Sequence, residues 1–77
     1  MLIQNINGTS QRLPKGYSSW IDFWEAKTGE SAVNKVGGHV KKTNSSDNSW
    51  YIAAITHTQN SLTIPYEYSG KLAKLHD

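Results

Sequence analysis

The chain contains no cysteine. Disulfides, thiolate zinc sites and thiol nucleophiles are therefore all excluded. It has only two prolines, and no apolar run approaches the roughly 18 residues that a membrane span requires. Charge is sparse as well: eight Lys plus Arg against six Asp plus Glu give a net charge of +2 and a pI near 9.0. No run of like charges is longer than Lys41-Lys42, so there is neither a basic arm nor an acidic tail. Such a balance favours anionic partners only mildly. Met1 to Asn5 lacks the basic and apolar regions of a secretory leader, and the expected location is cytoplasmic, away from membranes. Internal repeats and low-complexity tracts are missing too. Gly37-Gly38 alone does not make a phosphate loop, and no Ser, His and Asp are spaced as a catalytic triad.

What is present is aromatic. Seventy-seven residues make one small domain, residues 1–77. A chain of this length buries only about 60–65% of the surface exposed by its unfolded form. Three Trp, four Tyr and one Phe stand against that thin margin. Each ring buries roughly 150–250 Å².

Residues 2–13 read as an N-terminal β-hairpin, because Asn7-Gly8 tolerates the positive φ angles of a tight turn. Pro14-Lys15-Gly16 breaks it. A helix is predicted over 18–28, with Ser18 as N-cap, Asp22 and Glu25 toward its N-terminal half, Lys27 in its last turn and Gly29 just beyond. Trp20, Phe23, Trp24 and Lys27 recur at helical spacing, so the aromatics form one stripe. A ligand-stacking surface is one reading of that stripe. The stronger one is core, since so small a domain has few other large groups to bury.

A central hairpin is predicted over 36–56. Val36 to Lys42 forms its first strand, with Gly37-Gly38 marking a bulge or a close backbone approach. Asn44 to Asn48 is a polar turn. From Trp50 to Thr56 both faces are apolar: Trp50, Ile52 and Ala54 point one way, Tyr51, Ala53 and Ile55 the other. That strand belongs inside a sheet. Thr58 to Ser61 fits one helical turn or a loop, and 62–75 reads as a C-terminal strand or hairpin, with Pro65 confining its first part to an edge. The fold class is α+β, a small antiparallel sheet packed against one aromatic-faced helix.

Gly38-His39-Val40, the strand Trp50 to Ile55, and Thr56-His57-Thr58-Gln59-Asn60 together resemble the HNH endonuclease and treble-clef group, the ββα-metal fold. The resemblance covers residues 36–61. It implies a hairpin that opens on a histidine and leads into a short helix. In that group a paired Cys-x-x-Cys holds a structural zinc. Thr56 and Gln59 stand at the corresponding positions here, and Ser31, Ala32 and Val33 supply no upstream pair. No structural zinc and no other cofactor is expected, and apolar packing must supply the cohesion. The resemblance further implies His39 as general base, Asn60 as a metal-ligand position and Asn48 as an orienting group, with Gly38 where a carboxylate ligand often stands. His57 reads as a strand-end surface residue, or with His39 as two ligands lacking a third, and His76 as a terminal residue.

Two binding surfaces complete the reading. Lys35, Lys41, Lys42 and Lys71, interleaved with Trp50 and Tyr51, suggest a basic strip for a nucleic-acid backbone and its bases. Lysines also guard strand edges against pairing. Tyr66 and Tyr68 are amphipathic aromatics of the kind enriched in protein contacts, or they pack back onto the hairpin. Three functions follow as expectations. The leading one is a non-enzymatic protein that engages, and in one form inhibits, a protein partner. The second is a nucleic-acid-binding module using the Lys/Trp face. The third is a metal-dependent nuclease built on His39.

Overall fold

The structure is a computed structural model that describes residues 1–6 and 11–75. Among the described residues five strands and two helices follow in the order β1 (Leu2–Asn5), α1 (Trp20–Thr28), β2 (Val36–Lys42), β3 (Trp50–Ile55), α2 (His57–Asn60), β4 (Tyr66–Glu67) and β5 (Leu72–Lys74). All pairings are antiparallel, and the sheet order is β4-β1-β2-β3-β5. The chain is thus the α+β domain its pattern predicts.

The ends of α1 are set locally. Ser19, not Ser18, is the N-cap, its hydroxyl accepting from the Asp22 amide at 3.2 Å. The Ser18 hydroxyl instead donates to the Asp22 carboxylate. Gly29 closes the helix in the left-handed region at φ 75°, its N–H donating to the Glu25 carbonyl at 2.9 Å. Phe23 and Trp24 are buried on the sheet, and Lys27 lies over the Phe23 ring. The stripe is core.

Beneath α1 the sheet is built from small residues. Gly37 pairs with Ala54, and Ala73 lies beside Ile52. The helix rests on Gly37 so closely that a Cβ there would stand 2.5 Å from the Trp20 carbonyl carbon. The register through Gly37 and Gly38 is unbroken, so the glycine pair marks the close approach and not a bulge.

β3 has a core on each side. Ile52 and Ala54 join Phe23, Trp24 and Ala73 on the helix side. Tyr51, Ala53 and Ile55 join Ile3, Val40 and Tyr68 on the other. The second core is covered by the segment that joins β4 to β5. Those strands lie at opposite edges of the sheet, yet only residues 68–71 connect them. Five peptide steps reach at most about 18 Å, whereas a flat sheet of this size sets its edges about 19 Å apart. The sheet therefore curls, and the Tyr68 hydroxyl reaches across to accept from the Ala54 amide at 3.2 Å. The same hydroxyl donates to the Lys71 carbonyl, which also receives the Trp24 indole N–H at 2.9 Å. One carbonyl thus joins the helix to the crossing segment.

Two expected hairpins take other forms. The Asn7-Gly8 turn of the 2–13 hairpin lies outside the described residues. Both edges of β1 are occupied by β2 and β4, and 11–13 is not a strand, so β1 has no place for a hairpin partner. The 62–75 region is not a hairpin either: burying Tyr66 and Tyr68 inside the curl sends β4 and β5 to separate edges.

Candidate functional site

Alternation along a strand assigns each candidate side chain to a face. Gly37, His39 and Lys41 share the helix side of β2, while Gly38, Val40 and Lys42 share the other. His39 lies against Trp20, ring centroids 4.6 Å apart and planes 78° from parallel. Burial holds the imidazole below its ordinary pKa, so it is neutral near neutrality. Its Nε2 has no hydrogen-bond partner among the described residues.

Asn60 is on the opposite side. A Cβ on Gly38 would meet Ile55 Cδ1 and, at 3.0 Å, the Asn60 side-chain oxygen, which places Asn60 over the Val40 face. Asn48 is exposed in the β2–β3 loop. His39 and Asn60, the base and metal-ligand positions of the resemblance, are thus separated by the sheet. His57 is exposed on α2. Among the described residues no group of three or more His, Asp or Glu side chains is placed to hold a metal ion.

The predicted binding residues divide in the same way. Tyr51 and Tyr68 are each only 9% exposed. Tyr66 is half-buried, its hydroxyl donating to the Asn5 side-chain oxygen. Burial pushes the phenols of both Tyr66 and Tyr68 above their usual pKa. These three tyrosines hold the curl together, and two of them are buried. Lys35 precedes β2 while Lys41 is near its end, about 20 Å away along an extended strand, so no continuous basic strip joins them. Lys42 lies over the Tyr51 ring and pairs with Asp47 at 3.4 Å. Lys71 pairs with Glu30 at 3.3 Å.

Lys41 and Trp50 remain. They are register partners across β2 and β3, just beyond the stretch that α1 covers. Trp50 is 39% exposed and is the one exposed aromatic among the described residues. With Asn48 it stands between two adjoining clefts. One, of about 420 Å³, has Lys41, Gln4, Thr43 and Asn44 in its walls. The other, of about 350 Å³, has Gln11, Ser49 and Lys74. Lys41 and Lys74 are exposed, and neither is in an ion pair among the described residues. Asp47 is the acidic group on the rim of the larger cleft. Its charge is matched by Lys42, and its oxygens accept from the Tyr51 hydroxyl and, at 2.9 Å, the Ser49 amide.

Lys74 and Gln4 escaped the sequence reading. Gln4 comes to the site only because β1 aligns it with Lys41, a pairing across nearly half the chain. Lys74 arrives because β5 lies along β3. A period-two reading of Leu72-Ala73-Lys74 gives its strand but not its neighbour. No family model, curated protein or solved structure matches the chain.

Proposed function

We propose that the chain is a non-enzymatic module that binds nucleic acid through Lys41, Trp50 and Lys74. The observation that carries this reading is an exposed indole standing between clefts that each present a lysine in no ion pair among the described residues. Ammonium groups attract phosphates from any sequence, and an indole face stacks on any base. The competing protein-binding reading leaned on Tyr66 and Tyr68, which are built into the core and its rim. The nuclease reading needs His39 and Asn60 together, and the sheet lies between them.

With few cations the binding is weak and depends mildly on salt. Two phosphate contacts give a slope of log affinity against log salt of about −1.4 on a single strand and about −1.8 on a duplex. Anisotropy of labelled oligonucleotides, single-stranded and duplex, titrated with protein at low salt measures both. The Lys41→Ala, Lys74→Ala double variant changes only exposed side chains and is expected to abolish the signal with an unchanged circular dichroism spectrum. Absence of binding by the natural protein to either form at low salt, or full binding by the double variant, removes the reading.

A further inference from the structure

We infer that the ligand is single-stranded nucleic acid, with one base stacked on Trp50 and the backbone passing from the Lys41 cleft to the Lys74 cleft. This inference rests on the nucleic-acid reading above and names the form of strand that the site takes.

The geometry argues it in three steps. A duplex presents its bases only at their edges, and a strand or helix must enter a groove to reach them. Trp50 is no probe of that kind. It lies on a strand inside the sheet, with clefts on its flanks, so a base must come to the indole with its face free. Only an unpaired base offers a face.

The walls supply the groups that an unpaired base needs. The carboxamides of Gln4 and Asn48 line the cleft beside Lys41, and neither is engaged in a hydrogen bond among the described residues. A carboxamide both donates and accepts, and matches the exposed edges of an unpaired base. These groups are adaptable donors and acceptors around one rigid ring, which suits a strand of any sequence better than a fixed one.

The two lysines flank the ring in place of forming a row. A base stacked on the indole continues into sugar and phosphate on both sides, and each side meets one lysine that is in no ion pair among the described residues, Lys42 in the first cleft being held by Asp47. A duplex backbone spanning the same surface would pass over Trp50 without using it.

The test is tryptophan fluorescence with unlabelled fifteen-residue oligonucleotides (deoxythymidylate, uridylate and a mixed duplex) at low salt. Trp20 and Trp24 are packed against the sheet, so Trp50 is the indole within reach of a ligand. Quenching by either single strand, absent in Trp50→Phe, and single-strand affinity above that for duplex are the expected results. Relative response to the two single strands tells DNA from RNA. Trp50→Ala is expected to weaken single-strand binding roughly 5- to 150-fold, the range that loss of base–aromatic stacking gives. Equal affinity for duplex and single strand with no quenching overturns the inference and leaves the Lys41 and Lys74 reading standing. Binding to neither form removes both. Capture of a protein in place of an oligonucleotide, competed by neither single strand, also overturns it.

Discussion

The His39 imidazole meets the Trp20 indole edge to face at 4.6 Å, on the first turn of α1. Burial disfavours the imidazolium. The ordinary imidazole pKa is 6.5, and in the folded chain it lies lower. Between those two values the unfolded chain binds more protons than the folded one, so stability falls as pH drops. Above 6.5 neither state carries the proton, and the effect is absent. Thermal melts from about pH 7.5 to about pH 5.5 should show a declining Tm in the natural protein and a flatter profile in His39→Leu. An equal decline in both would show that His39 is not the group responsible.

Gly37 sets how close α1 comes to the sheet. Any side chain there must occupy space 2.5 Å from the Trp20 carbonyl carbon and 2.7 Å from the Ile21 nitrogen, which are backbone atoms and cannot rotate away. Gly37→Ala is expected to cost about 1–3 kcal/mol, the usual range for an overfilled core. Urea denaturation at fixed m-value reads it. Stability equal to that of the natural protein would mean that α1 lifts off freely.

Much of this architecture is legible in the sequence. The helix announces itself through a four-residue stripe and the glycine that closes it, and β3 through apolar residues on both faces. The unreadable part is long-range. Nothing local to Leu2–Asn5 says that its neighbours are residues 40–42 and 66–67. The Asn7-Gly8 signal argued for a nearer partner. The tyrosines were readable in part: Tyr66-Glu67-Tyr68 alternates with period two, which already puts both rings on one face. Lys35, just before β2, and Lys41, near its end, sit too far apart to make a patch, a limit that spacing alone imposes. Gln4, Lys74 and Trp50 come together only through the order of the sheet.

Asn5 is the residue whose importance composition hides most. Its side-chain amide donates to the Gln59 carbonyl at 2.7 Å and the Leu62 carbonyl at 3.0 Å, while its oxygen accepts from the Tyr66 hydroxyl. One carboxamide thus fastens β1 to the end of α2 and to β4. Asn5→Ala leaves three partly buried groups to find water, a loss on the order of 1–3 kcal/mol for such a network. Asn5→Asp removes the donor and sets a carboxylate against two carbonyl oxygens, so it should be the worse of the two. Equal stability of Asn5→Ala and the natural protein in urea would show that the clamp contributes nothing net.

Asp47 connects stability to binding. The Tyr51 hydroxyl, the Ser49 groups and Lys42 hold its carboxyl far below the usual carboxylate range, so it stays charged at any working pH. That charge occupies Lys42, and Asp47 is on the rim of the cleft beside Trp50. Asp47→Asn keeps one oxygen, for the Ser49 amide, and sets its NH2 where the second oxygen received the Tyr51 hydroxyl, whose own oxygen can accept in turn, so the loop keeps both contacts. It also removes the negative charge and frees the Lys42 ammonium group. Affinity for a single strand should therefore rise at low salt, and the salt slope should steepen by about 0.7 if Lys42 takes a phosphate of its own. At high salt the variant and the natural protein should converge, because screening removes long-range charge effects first. Weaker binding by Asp47→Asn with an intact fold would mean that the carboxylate contacts the ligand directly, as an acceptor from a base amino group, and the two-lysine arrangement would then have to be redrawn around it.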